Sequence, residues 1–348
     1  MARFLGVGGV VLSIAVLVIV KVLARGAVRA AFDRSNDPPG ITAPVGAGSA
    51  RTLQPDEQMS AKLDPYITQC LNGFSSSVLR SRQRYLSWAD AVEGPTGRER
   101  MIYGLFQVSG NPADCAAAAQ RSGQMQPPLP DVEAAAQRYV AALQAVQPVV
   151  EQAYAYYSRR NYRDDQMARG QAMHAPLMQA FNTFQAANQQ LSAVVELHQE
   201  QATTQLLARL QRDPSRQFEY RLRSNQRLAR QIVNLVDKAH ISGEGFIEGI
   251  DPAALIALND AYEAGIDTMA RDAVARPSEA AAAHGYSSYA RASGEFVTAA
   301  KSFARRARDH VAYEARDITG PFAEHHDGTP QKVVREFNDL VRAYNFLF

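Results

Sequence analysis

Apolar residues recur at three- and four-residue steps over most of this chain, the spacing of a helix with one buried face. Pro55 to Leu79 carries Leu63, Tyr66, Ile67, Cys70, Leu71, Phe74 and Val78 in that rhythm, and the pattern continues through SRQRYLSWADAV. Gly94-Pro95-Thr96-Gly97 reads as a turn. ERMIYGLFQV follows, then a short helix holding Cys115, then a loop from Gly123 to Pro130. Asp131 is placed to cap a helix reaching about Arg159, with Val132, Tyr139, Leu143, Val146, Val150 and Tyr154 inward. Pro148 lies inside that pattern and predicts a kink.

The stretch from Tyr156 to Gln211 holds one of the longest helical patterns. Counting sevens gives the row His174, Phe181, Asn188, Val195, Ala202 and its companion Gly170, Leu177, Phe184, Leu191, His198. Two such rows form an inward seam. His174 and His198 therefore face a core, roughly 36 Å apart along one helix, and cannot share a ligand. Pro176 starts a new helix or kinks this one.

Asp213-Pro214 interrupts the pattern, and a basic helix runs to about Ala239. ISGEGFIEGI reads as a glycine-containing loop. Asp251-Pro252 opens a helix ending near Pro277, and Ser287 to about Asp317 reads as another long helix. GPFAEHHDG is a loop, after which Thr329-Pro330 caps a last helix carrying Val333, Val334, Phe337, Leu340, Val341, Tyr344 and Leu347. The sequence shows no convincing internal repeat and no strand pair with a hairpin turn. An all-α fold follows, with long antiparallel helices in an elongated bundle.

The N-terminus has a different pattern. Phe4 to Val20 is a run of 17 uncharged residues, which at about 1.5 Å per residue is the lower edge of a bilayer span. Lys21 can snorkel, so residues 4–24 form the expected membrane segment, either an uncleaved transmembrane anchor or a signal peptide. Residues 1–35 are thus read as the anchor with its basic flank, 36–54 as a flexible linker rich in Pro, Gly and Ala, and 55–348 as a helical domain. Lys21, Arg25, Arg29 and Arg34 follow the span, and by the positive-inside rule they place the bulk of the chain in the cytoplasm. The two cysteines, Cys70 and Cys115, are buried thiols in a cytosolic protein; in an exported one an even pair suggests one disulfide.

Composition narrows the function classes. Of 348 residues, 46% are hydrophobic and 21% charged, which excludes global disorder. A net charge of +2 argues against a dedicated nucleic-acid partner, which needs a basic excess.

Several segments together resemble the YiiG-like family, an exported bacterial domain of unknown function often found in lipoproteins. They are YITQCLN, SRQRYLSW followed by GPTGRE and IYGLF, a second cysteine, NYRDDQMARGQAMHAPLMQAF, and the C-terminal FNDLVRAYN. The resemblance covers most of residues 60–348. It implies an all-helical domain in the cell envelope and brings no catalytic residues. It also favours a Cys70–Cys115 disulfide and a domain facing the periplasm from the bacterial inner membrane. The lipoprotein form has a cysteine directly after the signal segment; here the first is Cys70, so a transmembrane anchor takes that place.

Candidate chemistry is sparse. Asp164, Asp165 and His174 combine carboxylates with an imidazole, the raw material of a metal site or an acid–base pair. The two aspartates are equally suited to cap the next helix, and Arg159, Arg160, Arg163 and Arg169 are available to pair with them. Glu324, His325, His326 and Asp327 form a second candidate for metal, in a loop. Tyr154, Tyr156, Tyr157 and Tyr162 could offer an aromatic platform for a sugar or peptide. There is no HExxH, GxSxG, P-loop or CxxC, so no catalytic residue is assigned and no cofactor is predicted. The expectation is a membrane-tethered, non-catalytic domain whose partner is an envelope protein or a small ligand. The alternative is a metal-binding protein or metal-dependent enzyme built on Asp164, Asp165 and His174.

Overall fold

The computed structural model describes residues 53–282, 285–318 and 322–347. The expected membrane segment and nearly all of the linker lie outside them. Among the described residues no helix is long and apolar enough to cross a membrane. The described chain is mostly helical, as the sequence predicts, and divides into two compact units at Ala202/Thr203.

The first unit opens with α1, Pro55–Pro65. Pro55 takes a first-turn position that needs no N–H, and the Gln54 N–H donates to Glu57 Oε2 at 3.0 Å. Pro65 has no N–H to give, and there the α-helix widens into a π-helical segment, Tyr66–Ser75. Tyr66, Ile67, Cys70, Leu71 and Phe74 on this segment are buried. Helix α2, Ser76–Leu86, continues the same rod. Residues 101–109 then cross α2 without regular structure, and side chains take some of their carbonyls: Trp88 Nε1 donates to Gly104 O at 2.7 Å, and Arg84 Nε to Tyr103 O at 3.1 Å.

Asn111 caps α3, Pro112–Gly123, by accepting from Ala113 N at 3.1 Å. Cys115 on α3 is joined to Cys70 by a disulfide, and both residues are fully buried. Helix α4 is Pro130–Ser158, with Pro148 inside it. Asp131 is not its cap. Pro130 already occupies the first turn, and the side chain of Glu133 reaches back to the Leu129 N–H at 3.2 Å.

Helix α5, Ala168–Gln211, follows the seven-residue rows. His174, Phe181, Asn188, Val195 and Ala202 are all buried; in the companion row Leu177, Phe184 and Leu191 are buried and His198 is half-buried. Pro176 is accommodated within the helix rather than starting it. Contacts between α4 and α5 run in opposite order, from Asp131–His198 through Arg138–Gln190 to Tyr139–Phe184, so the two are antiparallel.

The second unit is a ring of four helices. Helix α6 (Gln217–Lys238) packs on α7 (Pro252–Ala275), α7 on α9 (Tyr286–Arg308), α9 on α11 (Pro330–Asn345), and α11 on α6. Two short helices, α8 (Pro277–Ala282) and α10 (Ala315–Ile318), lie between them. Asp251 and Thr329 cap α7 and α11 as predicted, accepting from Ala253 N and Lys332 N. Val333, Phe337, Leu340, Val341 and Tyr344 of α11 are buried, at about 1.5–3 kcal/mol for each large apolar side chain.

Two readings change here. The loop after α6 contains a two-residue antiparallel pair, β1 (His240–Ile241) with β2 (Ile247–Glu248), in the register His240↔Glu248 and Ile241↔Ile247. The helix expected over Ser287–Asp317 ends at Arg308. His310 adopts φ 52°, and Tyr313 turns back so that its N–H donates to Gly245 O at 2.8 Å while Arg306 lies 4.4 Å over its ring.

Candidate functional site

The turn between α4 and α5 places two of the candidate residues. Asp165 accepts from Met167 N at 3.1 Å, Arg169 N at 3.2 Å and the Tyr156 hydroxyl at 2.8 Å. It closes the first turn of α5, where unpaired N–H groups favour a carboxylate. Gln166 and Met167 both have left-handed φ, 53° and 71°, a conformation costing roughly 1–2 kcal/mol at a residue with a Cβ. The Asp165 carboxylate and the buried Met167 side chain hold that turn. Asp164 points outward, and among the described residues neither aspartate pairs with Arg159, Arg160, Arg163 or Arg169.

His174 sits at the other end of one aromatic cluster. It is 7% exposed, and its Nδ1 lies 2.9 Å from the Tyr85 hydroxyl. The turn after α2 presses on it from outside, since a Cβ at Gly94 would stand 2.6 Å from His174 Cγ. Tyr85 rests against Trp88 at 5.4 Å between ring centres, Trp88 against Tyr157 at 5.1 Å, and Tyr157 against Tyr156 at 4.9 Å. Gly170 leaves room for the Tyr157 hydroxyl, 3.0 Å from where a Cβ would be. Burial pushes the Tyr85 and Tyr156 phenols up to about 12, and Tyr157 further. Asp90 in the turn is held below the usual carboxylate range, first by the Glu93 and Val92 N–H groups and to a lesser degree by His174. The cluster is closed: Tyr156 and Tyr157 are buried, and of the four tyrosines only Tyr154 is exposed.

Comparison with known proteins places the whole described domain in one family. The profile of a family described as "Protein of unknown function (DUF3829)" matches residues 57–346. The chain belongs to this family. It is similar to "Uncharacterized protein YiiG" of Escherichia coli (strain K12), 26% identical over 320 residues, covering 88% of this chain and 86% of the relative. No solved structure matches.

The other candidate in this DUF3829 domain, the loop before α11, is exposed. His325 Nδ1 meets Arg335, Asp327 pairs with Lys332, and His326 is solvent-facing. Among the described residues no three His, Cys, Asp or Glu side chains are placed to share a metal ion.

Two ion pairs escaped the sequence reading. His198 Nε2 meets Asp131 Oδ2 at 2.9 Å, tying the first turn of α4 to α5. Lys62 is fully buried, and its Nζ donates to Met125 O at 2.8 Å and Glu133 Oε1 at 2.6 Å. Lys62 lies 71 positions from Glu133, so only the fold brings them together; for the first pair the sequence showed His198 on an inward row but read Asp131 as a helix cap, and Asp131 is exposed.

Proposed function

We propose that this DUF3829 member is a membrane-tethered, periplasm-facing helical domain that acts by binding rather than by catalysis. The observation that carries the reading is the Cys70–Cys115 disulfide, sealed in the core of the first unit. Such bridges belong to oxidising compartments, and the uncharged run Phe4–Val20 supplies a route out of the cytoplasm that leaves the chain attached to the membrane. The ionisable groups most suited to chemistry support the non-catalytic half: Asp165 is committed to a helix end and His174 to Tyr85. No cofactor is part of this reading.

Protease added to bacterial spheroplasts tests it. The full chain should sediment with membranes, be digested from outside, and resist thiol alkylation until reduced. Protection from protease, or two freely alkylated thiols, overturns the location. Metal analysis of the purified chain beside His174→Ala tests the other half: stoichiometric metal lost in the variant would replace this reading with the metal-dependent one.

A further inference from the structure

Residues 101–109 lie in a furrow between α2 and α4. On one side Ser81 Oγ donates to Phe106 O at 2.6 Å; on the other Gln147 Nε2 donates to Gly110 O at 3.4 Å, and a Cβ at Gly104 would stand 3.1 Å from Tyr157 Cβ. Met101, Tyr103 and Phe106 of this strip are exposed, and so is Tyr154, two turns along α4 from Gln147 and on the same side. The Arg84 guanidinium lies 4.7 Å from the centre of the Phe106 ring and 5.5 Å from that of Tyr103, joining a cation to both exposed rings.

Charge and hydrogen bonding decide what this strip can meet. Arg80, one turn before Arg84 on the same side of α2, Arg84 itself, and Arg98 and Arg100 at the start of the strip have no carboxylate partner among the described residues. The carboxylates along it are Glu99 and Glu151, and each already accepts a hydrogen bond, from Gly97 N at 2.9 Å and from Gln147 Nε2 at 2.8 Å. The strip is therefore net positive. Its backbone offers donors and few acceptors. The N–H groups of Met101, Tyr103, Phe106 and Gln107 donate to nothing in the described chain, whereas the carbonyls of Tyr103, Gly104 and Phe106 are taken by Arg84, Trp88 and Ser81. An incoming β-strand needs both halves of that ladder, and Gly104 at φ 64° breaks the extended run besides. A partner that brings negative acceptor oxygens together with apolar surface satisfies the whole strip, and phosphate groups above acyl chains are that combination.

We infer that this strip docks the domain onto the surface of a bilayer containing anionic phospholipid. The arginines and free N–H groups meet the phosphates, and Tyr103, Phe106, Tyr154 and Met101 enter the interfacial layer, where aromatic residues are favoured. The unpaired N–H groups keep the contact shallow, because in hydrocarbon they find no acceptor. The inference rests on the anchored reading above and adds the docking face and its lipid class. Residues 25–52 separate the apolar run from the described domain and, at no more than about 3.6 Å each, hold its first residue within roughly 100 Å of the bilayer. That confinement raises the effective concentration of the surface, so individually weak contacts suffice.

The chain's one tryptophan, Trp88, reports on the strip, since its Nε1 donates to Gly104 O. The full chain is placed in nanodiscs bearing headgroup nitroxides, made of phosphatidylcholine alone or of equal parts phosphatidylcholine and phosphatidylglycerol, and Trp88 emission is read at low and high salt. Emission should be quenched in the anionic discs at low salt, and should recover at high salt and in discs of phosphatidylcholine alone. Arg98→Glu with Arg100→Glu, both exposed and outside any helix, should keep the melting temperature and lower the docked-to-free ratio roughly 30-fold, about fivefold for each cation removed. Unquenched Trp88 in anionic discs that carry the chain overturns the inference and leaves the anchor standing; a shift of the emission on adding polyglutamate then assigns the face to an acidic protein instead. Quenching that ignores both salt and charge reversal overturns it too. A chain that fails to enter the discs overturns the anchored reading, and the inference with it.

Discussion

Gly265 makes a case in which two physical arguments predict opposite signs. It lies in the middle of α7, where helix propensity alone says that Ala is better by about 1 kcal/mol. Packing says the reverse. A Cβ at Gly265 would stand 2.1 Å from Oδ1 of Asn225, which reaches across from α6 and is 2% exposed. Overpacking of this kind costs about 1–3 kcal/mol, so Gly265→Ala is expected to lose a net of up to roughly 2 kcal/mol, a fall of up to about 8 °C in melting temperature for a unit of this size. The Asn225 amide has no hydrogen-bond partner to lose, so Asn225→Ala makes a clean background. In that background the clash is gone and Gly265→Ala should now stabilise by about 1 kcal/mol. Urea titrations of the four proteins of this double-mutant cycle should give a coupling energy of about 1–3 kcal/mol, equal to the overpacking cost. If Gly265→Ala alone is more stable than the parent, or has the same effect in both backgrounds, the contact is not what sets the residue.

Further outcomes are equally specific. Replacing Cys70 and Cys115 together by Ser removes a cross-link across 45 positions and should destabilise by up to about 4 kcal/mol, read as a lower urea midpoint under oxidising conditions only. Glu133→Gln removes the counter-charge of the buried Lys62 ammonium and leaves it only neutral oxygen acceptors; the expected cost is about 3 kcal/mol, the low end for a buried pair because Glu133 is partly exposed. The Lys62 and Leu129 hydrogen bonds hold the Glu133 carboxyl below its ordinary range. Its contribution is therefore present above the ordinary carboxylate pKa and is lost as pH falls through the lowered folded value, so stability measured from pH 6 downward should fall less steeply in the variant. Asp165→Ala removes three accepted hydrogen bonds and the support of two left-handed residues, costing about 2 kcal/mol, whereas Asp164→Ala should stay within about 0.5 kcal/mol. Equal effects at the two positions, measured by thermal melting, would refute the capping role.

What the sequence disclosed depended on range. The seven-residue rows of α5 were legible because burial repeats with the helix, and they placed His174 inward before any partner was known. Caps at Asp251 and Thr329 were legible because a cap and its proline are neighbours. Asp131 misled for the same local reason: it looks like a cap, yet Pro130 and Glu133 perform that task and Asp131 is released to His198. The end of α9 at Arg308 depends on Tyr313 docking against Gly245, a contact between distant segments.

The sealed disulfide also carries information about timing. Cys70 and Cys115 are both fully buried, so an attacking thiolate can reach either sulfur only when this part of the molecule opens. Once folding is complete, exchange with the surroundings stops. The oxidation state of the pair therefore records the compartment in which the chain folded rather than the one it later occupies. On the proposed periplasmic placement, a molecule that folded before crossing the membrane would keep two shielded thiols and one that folded afterwards a bridge, so the ratio of the two forms would compare folding with export.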